Sequence, residues 1–278
     1  MTAGVNRAVV ELSLLKPQSR LTSTTLMANA PETGGAALLA QQTLGLGVGC
    51  HVVLVDGSPV LPAEQLPTLV NAATGRFRAT LGVFVRDLLL GRIRAREIEA
   101  EAEAQIARLQ NLGVNLTHID THKHTHMFPG VLQPLLVAAK RLNIPAIRNP
   151  FEPGWSLAAT PGAPALRRAQ VRVLNRYRPR FLRQVAQSGL ATTEGAIGVL
   201  ATGTLDTATL ASLLSAIPEG TWELVTHPGY NDAALSLAGT RLLASRETEM
   251  QALGSASFPA DIELIHFGHL RAFTGRQP

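Results

Sequence analysis

This 278-residue sequence has a single cysteine, and it has neither a membrane-length apolar run nor a signal-type N-terminus. The single cysteine, Cys50, excludes an internal disulfide framework and gives no reason to expect an oxidising compartment. No apolar run approaches the roughly 18 residues of a spanning helix, and no basic segment followed by an apolar one opens the chain. We therefore expect a cytoplasmic protein with no transmembrane segment.

Charged residues are also scarce, at 16% of the sequence, whereas apolar residues make up 46%. This composition allows a full hydrophobic core, and the length suits one large domain. The formal net charge of +5 is mild. The composition therefore indicates a globular protein of enzyme size, which we interpret as a single domain over residues 1–278.

The positive charge is concentrated in residues 167–183, which carry seven arginines interleaved with apolar residues. A basic, partly amphipathic stretch of this kind can bind nucleic acid, anionic lipid or a phosphorylated substrate. The favoured interpretation is a solvated helix whose arginine stems cover apolar surface. Because no aromatic stacking platform accompanies the arginines, we expect no specific nucleic-acid partner.

Short apolar runs alternate with longer amphipathic ones along the chain, which is typical of repeated βα units and predicts one parallel α/β domain. Helical spacing and end signals predict helices over 94–112, 131–142 and 206–216. Proline and glycine in 150–164 predict a long irregular excursion over the mouth of a barrel. The predicted strands are 21–27, 47–55, 116–122, 146–149, 222–227 and 262–266.

One segment, HIDTHKHTH at 118–126, holds four of the eight histidines and an aspartate, all at even-numbered positions. Side chains alternate between faces along a strand, so an extended segment would point His118, Asp120, His122, His124 and His126 the same way. Imidazole is a common metal ligand and titrates near neutral pH. The row therefore predicts a metal or proton-transfer site, although a His-rich strand facing solvent is the simpler alternative.

Three more polar residues belong to predicted strands. His51 lies within an apolar strand, where a lone histidine is more often a satisfied core residue than a ligand. Arg148 and His227 each end an apolar run, and a proline–glycine turn follows His227. The carboxyl ends of barrel strands converge on one face, so we expect these residues to meet the histidine row there.

Five segments carry a family resemblance: TSTTLMAN at 22–29, GCHVVLVDGSPVL at 49–61, HIDTHKHTH at 118–126, RNPFEP at 148–153 and HPGYND at 227–232. Together they resemble the YdjC-like carbohydrate deacetylases, the ChbG/HpnK group. The resemblance implies a distorted TIM-like (β/α) barrel and metal-dependent removal of an N-acetyl group from an amino sugar or related glycolipid. By motif position, His51 and His122 correspond to the two metal-binding histidines of the family, and His227 falls at a catalytic-site histidine.

The sequence departs from the family pattern at its start. Family members open with a strand that ends in two aspartates, one for the metal and one for the attacking water. Residues 1–6 correspond to the segment on the C-terminal side of that motif, so we expect a barrel without its first strand, low activity and association through the open edge as a possible homo-oligomer. Either the true start lies upstream or the site is rewired, in which case Asp120 is the candidate carboxylate.

The chemistry implied is amide hydrolysis assisted by one divalent metal ion, with magnesium and zinc the main candidates. A carboxylate takes the proton of the attacking water, His227 returns a proton to the leaving amine, and Arg148 orients the base or the substrate. Two alternatives stay open. One is a sugar-binding homologue that has lost catalysis, and the other is a metal-dependent phosphoesterase in which Arg148 and Lys123 hold a phosphate.

Overall fold

A computed structural model describes residues 2–15 and 19–270 of the chain. Five short strands lie in two parallel sheets, which makes the fold α/β. The first sheet has the order β1-β2-β3 and the second pairs β4 with β5. The strands are β1 (Ser23–Leu26), β2 (Gly47–Val52), β3 (Leu116–Thr121), β4 (Gly195–Ile197) and β5 (Trp222–Leu224).

Residues 145–148 connect the two sheets, although they form isolated bridges and not a full strand. Ile147 pairs in parallel with Ile119 of β3, and Ala146 pairs in parallel with Ala191, just before β4. The backbone N–H of Arg148 also donates to the carbonyl of Ile119 at 3.0 Å. The strands therefore follow one another in parallel around a TIM-like barrel, and the strand predicted over 146–149 is reduced to two bridges.

Eleven α-helices are described, and the three predicted from the sequence are confirmed with ends shifted by one or two residues. On α4, Ile98, Ala102, Ile106 and Leu109 form a fully buried stripe, because residues three or four apart share one helix face. The helices are α1 (Ala3–Ser13), α2 (Thr33–Gln42), α3 (Leu81–Leu89), α4 (Ala95–Asn111), α5 (Pro129–Arg141), α6 (Gly154–Ala159), α7 (Ala165–Leu174), α8 (Arg178–Ser188), α9 (Thr207–Ala216), α10 (Ala233–Leu237) and α11 (Ala244–Ser255).

No helix in the described part of the chain is long and apolar enough to cross a membrane. Segment 150–164, expected to be irregular, contains α6 and is therefore partly helical. Strand β4 was missed by the sequence analysis, because three residues are too few to show an alternating pattern.

Buried carboxylates on or beside the helices hold the loops that follow the strands. Glu101 of α4 accepts hydrogen bonds from the backbone N–H groups of Val60 and Leu61, at 2.8 and 3.1 Å. Glu152, just before α6, accepts from Gly198 and Leu200 in the same way. Each carboxylate satisfies two backbone donors that a buried loop would otherwise leave unpaired, so the loops above the barrel are fixed in place.

Residues 265–268 cross the end of the barrel where the strands begin. The carbonyl of Ile265 accepts a hydrogen bond from the Thr22 hydroxyl at 2.7 Å, just before β1. The side chain of Phe267 is buried against Ala146 and Ala191 and stacks on the His118 ring at 4.0 Å between centroids. The strand predicted over 262–266 is therefore wrong, because this segment forms no sheet pairing and instead supplies a floor to the barrel.

Replacing Phe267 with alanine should destabilise the protein by about 3–5 kcal/mol, because the floor loses a buried ring and gains a cavity. The measurement is the free energy of unfolding from urea titration. The matched control is Leu237→Ala, since Leu237 is 89% exposed and should change stability by less than about 0.5 kcal/mol. Equal effects of the two substitutions would show that Phe267 does not close the barrel.

Candidate active site

A register shift between β2 and β3 brings His51 opposite Asp120. Val48 pairs with Leu116, whereas Gly49 pairs with His118, so β3 has one additional residue at this point. From there the pairing continues regularly to His51 and Asp120. Without the shift, His51 would face Ile119, because a one-residue slip moves every side chain to the other face of the sheet.

Only glycine fits at position 49, because the register shift leaves no room there for a Cβ atom. A Cβ atom at Gly49 would lie 2.7 Å from the His118 ring and 2.7 Å from the His118 carbonyl oxygen. Any other residue would force β2 and β3 apart. The glycine therefore allows the close approach that sets the pairing of His51 with Asp120.

Asp120 is fully buried, and both of its carboxylate oxygens are engaged. Oδ1 accepts a hydrogen bond from His51 Nδ1 at 2.7 Å, and Oδ2 accepts one from Arg148 Nη1. Burial alone would raise the pKa of this carboxyl, but the positive charge of Arg148 and the contact with His51 hold it well below its usual range. Asp120 is therefore an ionised acceptor with no free oxygen.

Arg148 joins Asp120 to a second carboxylate, Glu223 of β5. Arg148 Nε donates to Glu223 at 2.8 and 2.9 Å, and Nη2 donates to Glu223 Oε1 at 2.5 Å. Burial raises the pKa of Glu223, and the charge of Arg148 opposes that rise. Each of the three guanidinium nitrogens thus donates to a carboxylate within the protein, as the planar fork geometry favours.

Glu223, Arg148, Asp120 and His51 thus form one continuous hydrogen-bonded array across the barrel, here called the charge chain. Because the Asp120 carboxylate only accepts, His51 Nδ1 must carry the proton. The other ring nitrogen, Nε2, takes no part in this hydrogen bond. A carboxylate on one nitrogen of a histidine is the usual arrangement that prepares the other nitrogen as a metal ligand.

His122 lies next to His51, with ring centroids 5.6 Å apart and the rings nearly perpendicular. Burial, followed by the proximity of His51, lowers the pKa of His122 to about 4, so its ring is neutral near neutral pH. Neutral imidazole is the form that binds metals. Two adjacent imidazoles therefore fit part of a divalent-metal site.

The described residues do not supply a complete ligand set. No group of three or more His, Cys, Asp or Glu side chains within residues 2–15 and 19–270 is arranged to hold a metal ion. A catalytic zinc site uses three protein ligands and an open position. Asp120, the candidate third ligand, is already engaged on both oxygens.

The histidine row does not stay on one face, contrary to the pattern expected from its even spacing. β3 ends at Thr121, and a 3₁₀ segment, His122–Met127, follows. Lys123 and His124 both have left-handed backbone angles, with φ of 55° and 52°. This turn redirects the chain, so His118 lies at the barrel floor while His122 lies beside His51.

His126 is fully buried and fastens this turn to the neighbouring segment. Its Nε2 donates to the carbonyl of Arg148 at 3.2 Å, and its Nδ1 accepts from the Thr121 hydroxyl at 2.6 Å. The carbonyl can only accept, which fixes the ring protonation. His126 is therefore a structural residue that positions the loop carrying His122.

His227 lies outside the charge chain. Its backbone N–H donates to Glu249 Oε2 at 2.5 Å, and its ring Nδ1 is 3.7 Å from the same oxygen. Its backbone carbonyl accepts from Arg246 at 3.4 Å. Among the described residues, none of its hydrogen-bond or ion-pair partners is His51, Asp120 or Arg148. The structure therefore brings together four of the five expected site residues, His51, Asp120, His122 and Arg148, and sets His227 against α11.

Glu223 is the site residue that the sequence analysis missed. It stands in the middle of Trp222–Leu224, a three-residue strand whose other members are apolar. A charged residue inside a short strand is a signal, since burying a carboxylate is costly unless a partner is present. The partner, Arg148, lies 75 positions earlier in the sequence, and no local pattern connects the two.

Known proteins resemble this chain over most of its length. The sequence matches the family described as YdjC-like protein over residues 1–264. A carbohydrate deacetylase from Brevibacillus brevis is 30% identical over 273 residues, covering 96% of this chain and 94% of the relative. A carbohydrate deacetylase from Mus musculus is 32% identical over 219 residues, covering 76% of this chain and 69% of the relative.

One solved structure, of a candidate cellobiose-phosphate cleavage protein from Enterococcus faecalis V583, superposes with a TM-score of 0.69. It covers 91% of this chain and 86% of its own, at 23% sequence identity. At that identity the likeness shows a common fold, which agrees with the TIM-like arrangement of the parallel strands.

Acid should destabilise the protein through its buried histidines. Burial lowers the pKa of His118 to about 3. Between the unfolded value near 6.5 and that folded value only the unfolded chain binds the proton, so stability is full above about pH 6.5 and falls as the pH drops. From about pH 6.5 to 5, His118 alone should account for about 2 kcal/mol.

The measurement is the urea midpoint at these two pH values for the starting protein and for His118→Gln. The variant should show a smaller pH dependence, whatever its absolute stability. His269→Gln, at an exposed position, is the control and should keep the full dependence. An unchanged dependence in His118→Gln would contradict the buried neutral state of this ring.

Proposed function

The chain belongs to the YdjC-like protein family, and from this membership we propose that it is a carbohydrate deacetylase. The reaction is hydrolysis of the N-acetyl group of an amino sugar or a related glycan or glycolipid. Relatives with 30% and 32% identity bear the name carbohydrate deacetylase. The observation that carries the proposal is the charge chain, which prepares His51 beside the neutral His122.

We propose that His51 and His122 hold one divalent ion, magnesium or zinc, which when bound would polarise the acetyl carbonyl and lower the pKa of a water molecule. The support is the chemistry of the donor set. His51 Nδ1 donates to Asp120, which leaves Nε2 as the ring nitrogen available to a metal, and burial keeps His122 neutral. The two histidines supply two ligands, so any further ligand of the ion has to be a different group.

In this proposal Asp120 and Arg148 are positioning residues. Asp120 has both oxygens engaged, so its contribution is to orient His51. Arg148 is only 13% exposed and is held by Asp120 and Glu223, so it fixes the carboxylates and leaves little of its guanidinium for a substrate. Neither carboxylate of the charge chain has a free oxygen with which to take a proton from water.

His227 is the proposed donor of a proton to the leaving amine. Its ring is about one-third exposed, which leaves it accessible to a substrate, and Glu249 places a negative charge 3.7 Å from Nδ1. A histidine is suited to this step because it can gain and lose a proton near neutral pH. The leaving amine has to lie on the side of the barrel where His227 follows β5.

The phosphoesterase alternative loses support from the geometry. It requires Arg148 and Lys123 to hold a phosphate. Arg148 is committed to Asp120 and Glu223, and Lys123 Nζ donates to Asp56 Oδ2 at 2.8 Å. Both cations are thus neutralised by carboxylates that would repel a phosphate. The sugar-binding alternative keeps the same barrel and is separated from the deacetylase by activity alone.

The test of function is acetate release from N-acetylglucosamine oligomers with added magnesium or zinc, with phosphate release from a sugar phosphate measured in parallel. We expect acetate release, and we expect Asp120→Asn to reduce it by about 10–100-fold, because removing an outer partner of a metal-binding histidine typically has that effect. Asp261→Asn, at an exposed position, is the control. Phosphate release without acetate release would contradict the proposal, and sugar binding without either would favour the non-catalytic homologue.

Metal binding has a separate test that does not depend on activity. His51→Ala and His122→Ala should each lose most of the stoichiometric magnesium or zinc, whereas His227→Ala should retain it. The measurement is isothermal titration of the metal-free protein with each ion, with circular dichroism to confirm folding. Full retention of metal by both His51→Ala and His122→Ala would show that these residues are not the ligands.

A further inference from the structure

The arginine-rich stretch forms one nearly continuous helical rod. α7 and α8 are joined by a 3₁₀ turn, Asn175–Tyr177, and the backbone stays in the right-handed helical region at Leu174, Asn175, Tyr177 and Arg178. No acidic residue lies between positions 165 and 188. The rod therefore carries positive charge along its whole length.

Three of its seven arginines bind the rest of the protein. Arg167 donates to the carbonyls of Val199 and Thr202, in the loop that follows β4. Arg168 donates to the carbonyls of residues 157, 160 and 163, and Arg178 donates to that of residue 194. These contacts attach the rod firmly and explain why arginine is needed at those positions.

The other four arginines, Arg172, Arg176, Arg180 and Arg183, are exposed and follow one another at intervals of four, four and three residues. This spacing places them on one side of a helix. No acidic side chain in the described part of the chain forms an ion pair with any of them. They make up a basic stripe with no role in the fold.

Exposed apolar side chains accompany the basic stripe. Leu166 is 72% exposed and Val173 is 54% exposed, and their separation of seven residues puts them on the same side of α7. The opposite side of the rod is already occupied, because Phe181 and Val185 are buried and Tyr177 packs on Phe128. The face that carries Leu166 and Val173 therefore does not pack against the core.

We propose that the basic stripe, with Leu166 and Val173, docks the protein on the surface of an anionic lipid bilayer. Arginines on one helix face match the negative charge of lipid phosphates, and the apolar side chains enter the boundary between headgroups and acyl chains. A single-stranded nucleic acid fits less well, because no exposed aromatic ring on this face can stack with bases. The interaction is peripheral and reversible.

The test compares binding of the full chain to vesicles of phosphatidylcholine alone and of phosphatidylcholine mixed with phosphatidylglycerol, by co-sedimentation. Binding should appear only with the anionic vesicles and weaken as salt is added. Arg172→Gln combined with Arg176→Gln and Arg183→Gln should reduce partitioning by about 100-fold, since each basic residue near the surface contributes about five-fold.

The matched control removes the same charge elsewhere, with Arg76→Gln, Arg96→Gln and Arg108→Gln, all at exposed positions. It should reduce partitioning by far less, because those arginines are outside the rod. The double variant Leu166→Ser with Val173→Ser should also weaken binding. Its effect is measured at a salt concentration that partly screens the charges of the arginine stripe.

Equal losses in the two arginine triple variants would overturn the proposal, because binding would then follow net charge alone. No binding to anionic vesicles would also overturn it, as would a complex with single-stranded RNA that persists at physiological salt. None of these results depends on deacetylase activity.

Discussion

The buried carboxylate of Asp120 is the group on which the site depends. A charge removed from water is tolerated only with partners, and breaking such a pair typically costs about 3–5 kcal/mol. Here the partners are Arg148 on one oxygen and His51 on the other. The same contacts that make burial of Asp120 possible set the proton on His51 Nδ1, so the stability of the interior and the state of the site are coupled.

The rest of the fold maintains the conditions for that interaction. The register shift beside Gly49 aligns His51 with Asp120, and the bridges at residues 146 and 147 bring Arg148 alongside β3. Carboxylates on α4, on α11 and just before α6 hold the loops above the strands, while Phe267 closes the floor. The polar groups of the charge chain are thereby paired and largely kept from water, which strengthens each electrostatic contact.

The sequence predicted the parallel α/β fold and, through the family motifs, the proximity of His51 and His122, because each ends or lies near the end of an apolar run. The prediction that the even-numbered histidines share one face was wrong. The left-handed turn at Lys123 and His124 cannot be predicted from an alternating sequence pattern. Glu223 was missed because its partner is distant in sequence. The position of His227 against Glu249 depends on how α11 packs, which no local pattern encodes.

The central claim is that Asp120 holds a proton on Nδ1 of His51, directed at its own carboxylate. The most direct measurement is a long-range proton–nitrogen correlation spectrum of the protein labelled with ¹⁵N-histidine, with the His51 signals assigned from His51→Gln. We predict a proton on Nδ1 of His51 in the starting protein, and loss of this preference for Nδ1 in Asp120→Asn. A His51 ring protonated at Nε2 and not at Nδ1 in the starting protein would contradict the account.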